Sequence, residues 1–188
     1  ESLLHASVHN NNSLEIDFID SEDITKKNIK RLNNLQGIVV PGGFGNRGVE
    51  GKILAANFAR INNIPYFGIC LGMQISVIEF ARNILGLKDA NSTEFDLKTP
   101  FPVISLVTEW DDYKKGKLKG SLHQMGGTMR LGAQSCTLMK KTLAHSLYKK
   151  NIISERHRHR YEVNNKFVDQ FNETDLVFSG YSGNKDLM

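Results

Sequence analysis

Proline and cysteine are scarce in this chain of 188 residues, at 4 and 2, and tryptophan occurs once. With glycine at only 16, a collagen-like or low-complexity polymer is excluded. Two cysteines, Cys70 and Cys136, can close at most one intramolecular bridge, so a small secreted disulfide scaffold is excluded and a reducing cytoplasm is the expected location. Long apolar runs are missing as well. Gly37-Ile38-Val39-Val40 and Tyr66-Phe67-Gly68-Ile69-Cys70-Leu71 fall far short of the ~18 residues that cross a bilayer, and no membrane partner is expected. In the start, Glu1-Ser2-Leu3-Leu4-His5-Ala6, no signal peptide is visible, since a basic stretch followed by an apolar core is lacking, and the missing initiator Met suggests a piece of a longer protein. Charge of one sign is not in excess: 24 Lys and Arg against 20 Asp and Glu give +4. The basic pairs Lys26-Lys27, Lys114-Lys115 and Lys140-Lys141 are scattered rather than gathered into a nucleic-acid patch, so no nucleic-acid partner is expected.

What is present is the composition of an ordinary globular domain, 40% hydrophobic and 23% charged. A chain of this length can bury roughly 70% of its unfolded surface in one domain. Leu14, Ile16 and Phe18 alternate with acidic residues and predict a strand over 14–19. Ile24, Ile29, Leu32 and Leu35 have roughly helical spacing over 21–35. The apolar run 37–40 reads as a buried parallel strand, 49–62 as a helix stopped by Pro65, 66–69 as a second buried strand, and 71–85 as a second helix. This alternation predicts an α/β fold with a doubly wound, mostly parallel sheet and helices on both faces. Shorter strands at 103–107, 128–131 and 135–138 predict a small antiparallel addition, and Tyr113 to Gly120 a mobile loop.

Ligands in such sheets bind beyond the carboxyl ends of the strands, where both unusual turns fall. Gly68-Ile69-Cys70-Leu71-Gly72 is a nucleophile elbow with Cys in place of Ser, directly after a strand and before a helix. There the helix amides and macrodipole favour the thiolate, and the Leu71 amide stands where an oxyanion needs a donor. A free cysteine is otherwise usually a small buried hydrophobe, a fate that fits Cys136 on its strand face with Gln134 and Leu138. Gly43-Phe44-Gly45-Asn46-Arg47-Gly48 matches a dinucleotide fingerprint in form, but no carboxylate follows Glu50 until Glu79, and Val49 and Glu50 exclude a Walker loop. Gly42 and Gly43 are instead placed to bring backbone amides to a small anionic centre. In Arg156 to Tyr161, strand alternation predicts Arg156, Arg158 and Arg160 on one face and His157, His159 and Tyr161 on the other, the arginine face being either a phosphate contact or an ion-paired exposed strand.

Five stretches in order, Val40 to Gly48, Gly68 to Gln74, Asn91 to Phe95, Gly126 to Gly132 and Glu155 to Asn164, resemble the glutaminase domain of CTP synthases, a group of class I glutamine amidotransferases. The resemblance spans the chain and implies one amidotransferase domain over 1–188, clipped at both ends. It implies hydrolysis of L-glutamine to glutamate and ammonia, with the ammonia passed to a synthase domain absent here that aminates UTP using ATP and Mg²⁺. By the same resemblance Cys70 is the nucleophile and forms a glutamyl thioester. Gly43 and the segment Leu71, Gly72, Met73 and Gln74 bind glutamine, with Glu94 and Arg160 completing the pocket. A carboxylate facing an ammonium and a cation facing a carboxylate are what an amino acid requires. Gly42, Gly43 and Leu71 form the oxyanion hole, and no metal is expected in this domain. GTP is implied as an allosteric activator, with a regulatory lid around Lys114 to Arg130, and a homo-oligomer, a tetramer, as the assembly. The family's base, from a downstream His-Pro-Glu motif, has no match in this sequence. An alternative is a catalytically degenerate amidotransferase fold acting as a regulatory or assembly module, and a weaker one is another thiol hydrolase with the same elbow.

Overall fold

The computed structural model describes residues 1–106, 109–112, 116–119 and 129–182, with the backbone alone over 109–112 and 116–119. Helix α1 (Ser2–His9) has no buried residue. Strand β1 (Ile38–Val40) leads through the glycine-rich turn into α2 (Val49–Ile61), and β2 (Tyr66–Gly68) leads through Cys70 into α3 (Leu71–Asn83). Strands β3 (Ala90–Ser92), β4 (Phe101–Leu106), β5 (Glu109–Asp112), β6 (Gly116–Lys119) and β7 (Arg130–Leu138) follow. Then come α4 (Leu143–Tyr148), β8 (Ile152–His159), β9 (Tyr161–Val163), α5 (Val168–Asn172) and β10 (Gly180–Tyr181).

The fold is mixed α/β. β1 pairs with β2 in parallel, Val39 opposite Phe67, and β3 pairs with β4 in parallel while β9 joins β4 antiparallel. β7 is flanked by β8 and β10, both antiparallel, and β5 with β6 forms a hairpin. Two apolar clusters hold these pieces. Ile75, Val77 and Ile78 of α3 pack with Val103, Ile104, Val163 and Phe171, while Leu32, Ile38 and Val40 pack with Ala55, Phe58 and Ala59 of α2. Each fully buried Ile or Phe contributes about 1.5–3 kcal/mol relative to exposure, so the clusters are what fix both helices against the strand ends. Tyr66 packs against both, and its hydroxyl donates to the Gly72 carbonyl at 2.8 Å, fastening the first turn of α3. Between the helices Glu79 is buried, and its carboxylate is satisfied by Arg60 through Nε and Nη2 and by the amides of Asn57 and Asn83. A buried carboxylate is tolerable when it is paired and hydrogen-bonded in this way.

Five local expectations are corrected. The strands expected to be buried at 37–40 and 66–69 are covered on one face only, since the paired residues Val39 and Phe67 are 41% and 59% exposed and no described element packs over them. Residues 14–19 join no ladder, and Phe18 is 92% exposed. Their alternation has the period of a strand, but a strand needs a neighbour for its backbone groups. The helix over 21–35 is replaced by two 3₁₀ turns, Ser21–Asp23 and Ile29–Leu32. There short polar side chains capture the backbone: Asp20 accepts from the Glu22 amide, and Asn28 accepts from the Thr25 amide while donating to Asp23 O. The two short strands at 128–131 and 135–138 are one strand, β7, because β8 supplies a continuous partner from Ile152 to His159. Part of the loop expected at 113–120 lies outside the described residues, but Gly116–Lys119 are paired with Glu109–Asp112.

Candidate active site

Cys70 is the N-cap of α3 and sits at φ +55°, ψ −107°. A non-glycine residue in such a conformation costs about 1–3 kcal/mol and persists only where its surroundings over-determine it. Here they do. A Cβ on Gly72 would stand 2.0 Å from Val40 O, and one on Gly68 would stand 2.4 Å from the Gly72 carbonyl carbon, so glycine on both sides lets strand and helix meet this tightly. The Ile69 amide donates to Val40 O at 2.9 Å and the Gly72 amide to Ile69 O at 3.0 Å, closing the corner.

The glycine-rich turn covers that corner. A Cβ on Gly42 would lie 3.4 Å from Cys70 Cβ and one on Gly43 would lie 3.3 Å from Leu71 Cδ2, so the Gly42 backbone stands beside the thiol and that of Gly43 beside the next residue. Gly43, Cys70, Gln74, Glu94 and Arg160 line one cavity of about 360 Å³. Gln74 Nε2 donates to Tyr161 O at 2.8 Å, joining α3 to β9. Arg160 Nε is buried with no partner among the described residues. Glu94 Oε1 accepts the Gly45 amide at 2.8 Å. The elbow, the glycine turn, one carboxylate and two arginines, Arg158 and Arg160, thus surround a single opening. No three His, Cys, Asp or Glu residues cluster as a metal site among the described residues.

The family model of class I glutamine amidotransferases matches residues 1–188. This chain belongs to the class I glutamine amidotransferase family. Among solved structures it is similar to the glutaminase domain of a Trypanosoma brucei CTP synthase with acivicin bound, at 40% identity, with a TM-score of 0.83 and 96% of this chain covered. It spans 66% of that chain's length.

The remaining expected site residues of this amidotransferase divide by position. Met73 and Gly42 line a second cavity of about 470 Å³ that shares Gly43 and Cys70 with the first. Leu71 and Gly72 line neither, and the Leu71 side chain is buried in the core, leaving its amide to face the sulfur. Burial raises the Cys70 pKa above the usual thiol value, opposed by the hydrogen bond from the Leu71 amide and assisted by the negative charges of Glu162 and Glu94. That direction runs against the thiolate that the helix start favours. Desolvation is the largest of these causes, ahead of the Leu71 hydrogen bond.

The two-faced arrangement of Arg156 to Tyr161 is also corrected. β8 ends at His159 and β9 begins at Tyr161, so alternation breaks at Arg160, and Arg158, His159, Arg160 and Tyr161 all line the first cavity. Arg158 Cζ stands 5.9 Å from the Phe44 ring centre, a cation–π contact that brings Phe44 to the rim. Sequence reasoning missed Phe44 and Tyr161 as lining residues; the kink that turns Tyr161 inward comes from β8 and β9 having different partners, β7 and β4. On the side of the second cavity His157 Nδ1 and His159 Nε2 are 2.7 Å apart. His159 Nδ1 lies 2.9 Å from Glu162 Oε1, within ion-pair distance though its ring is not aligned for a hydrogen bond. Burial, with the charge of Arg130 and the neighbouring His159, lowers the His157 pKa to about 4. The two cysteines are both free, and burial raises the Cys136 pKa also. Most of the expected lid, 114–130, lies outside the described residues.

Proposed function

We propose that this domain hydrolyses L-glutamine as the glutaminase part of a CTP synthase. The observation that carries the reading is the convergence of Cys70, Glu94 and Arg160 on one cavity roofed by Gly43. Glu94 receives the substrate ammonium and Arg160 its carboxylate, which leaves the side-chain amide directed at the elbow. Cys70 Sγ, after losing its proton to a base, attacks the amide carbon, and the C=O electron pair moves onto oxygen. Amides of Gly42, Gly43 and Leu71 supply hydrogen bonds to that oxyanion, each such donor being worth roughly 10²–10³ in rate. Collapse breaks the C–N bond, the nitrogen leaves as ammonia with an added proton, and water then cleaves the thioester to glutamate and restores the thiol. Met73 shapes the wall beside the sulfur, Gly72 lets the corner under it close, and Gln74 holds Tyr161 against the pocket.

Because burial raises the Cys70 pKa, a base that takes its proton matters, and the resemblance assigns it to a His-Pro-Glu stretch that is not in residues 1–188. Amination of UTP with ATP and Mg²⁺, activation by GTP, the synthase domain as partner, a tetrameric assembly and a cytoplasmic location belong to this same proposal for the whole protein. No helix among the described residues is long and apolar enough to cross a membrane.

The test is Cys70→Ser in the full-length protein. Glutamine-dependent CTP formation is expected to vanish while formation from added ammonia is retained. Glutamine-dependent synthesis that survives the substitution would overturn the assignment.

A further inference from the structure

Glu94 stands on a turn that the fold makes rigid. Ser92, fully buried at the end of β3, accepts the Phe95 and Asp96 amides on its carbonyl, both at 3.0 Å, and the Glu94 amide on its hydroxyl at 3.1 Å. The Thr93 amide donates to Ile104 O in β4 at 3.0 Å. The glycine-rich turn is built differently. Gly42, Phe44, Gly45 and Asn46 are exposed, and Gly45 is at φ +73° with nothing within 4 Å of where a Cβ would be. Its far end is fastened by Arg47, which pairs with Glu22 and Asp20, and by Lys52, whose ammonium donates to Arg47 O. Its middle is tied to the body of the domain by the Gly45 amide on Glu94 Oε1, across 49 positions of sequence.

We propose that Glu94, besides holding the substrate ammonium, is a positioning residue for the reaction: through the Gly45 amide its carboxylate fixes the glycine-rich turn, and so sets where the Gly42 and Gly43 amides stand with respect to Cys70. This rests on the glutaminase reading and deepens it. The chemistry permits both duties, since an ionised carboxylate has two oxygens and about four acceptor directions, of which the Gly45 amide takes one. Charge-assisted hydrogen bonds of this kind are stronger than neutral ones, and this one adds a tie at the exposed middle of the turn, beyond its fastened far end. An oxyanion donor works only at its correct place, and a shift of about 1 Å can cost roughly 100-fold in rate.

The two duties separate with a substrate that has no ammonium. Glutaramate keeps the amide and the carboxylate of glutamine and lacks the amine. In the full-length protein a residue that only binds ammonium has no effect on glutaramate turnover. A residue that places the turn lowers its kcat when removed, with KM little changed. Glu94→Ala is expected to lower kcat on glutaramate by about 10-fold or more. Glu94→Gln, whose carbonyl oxygen can still accept the Gly45 amide, is expected to recover most of that loss while still raising KM for glutamine. Glutaramate turnover by E94A at the wild-type rate would overturn the proposal.

Hydrogen exchange at the Gly45 amide gives a readout independent of activity. Slow exchange in wild type and E94Q and fast exchange in E94A is expected; equal exchange in all three would overturn the proposal even if the enzyme hydrolyses glutamine. If the wild type hydrolyses neither compound, the glutaminase reading fails, and the exchange pattern still decides whether Glu94 holds the turn.

Discussion

Arg130 and Glu162 meet in the interior, 3% and 2% exposed, and join the first residue of β7 to the middle of β9. Arg130 Nη2 also donates to Ser182 Oγ at 2.8 Å, so the pair ties the β7–β8 sheet to the sheet that ends in β9. Removing one member leaves an uncompensated charge where water cannot reach it. Glu162→Ala is expected to cost about 3–5 kcal/mol in urea unfolding, whereas the paired change Arg130→Met with Glu162→Leu recovers most of it. A loss below about 1 kcal/mol for the single variant would show that the interior there is wetter than its exposure implies.

His157 makes stability depend on acid. Its pKa is lowered from 6.5 to about 4, so between these values the unfolded chain binds more protons than the folded one. Stability is therefore highest above pH 6.5 and falls as pH drops toward 4, below which this contribution is fully lost. His157→Asn is expected to flatten that part of a plot of Tm against pH. An unchanged slope between pH 6.5 and 4 would assign the acid sensitivity to other groups.

Gly72→Ala tests the corner. The added methyl would meet the Val40 carbonyl, which is backbone and cannot swing away. The variant is expected to lose about 2 kcal/mol or more, and to lose alkylation of Cys70 by a glutamine-like chloroketone, because strand and helix must part. Wild-type melting would mean that β1 retreats without cost.

The sulfur itself can be titrated by its reaction with iodoacetamide, in a Cys136→Ala background. Burial, with Glu162 and Glu94 nearby, raises its pKa from 9.0, so alkylation is expected to keep climbing beyond pH 9. Glu94→Gln removes one of the opposing charges, and the midpoint is expected to move down. A plateau reached near neutral pH would show a resting thiolate.

The corner at Cys70 was legible because its whole cause is local: a strand, two glycines and a helix within a few residues. The positions of β1, β2 and both long helices were legible for the same reason, since their apolar runs and periodicity are written in consecutive residues, but the burial of the strands was not, because Val39 and Phe67 leave one face of the pair exposed. The contact of Glu94 with Gly45 was not, as nothing in either loop announces a partner 49 positions away. Tyr161 in the cavity wall was hidden by the change of partner at Arg160, which alternation within one strand cannot foresee. Leu14 to Phe18 failed in the opposite sense, having the period of a strand without a neighbour to complete it.

Gln74 and Tyr161 have one more effect. Their hydrogen bond couples the helix that carries the sulfur to the strand that follows Arg160, so thiol and guanidinium belong to a single caliper. A caliper gauges length. On the proposed reading, asparagine, one methylene shorter than glutamine, is expected not to touch both jaws at once, so the pocket would tell the two apart by reach rather than by polarity.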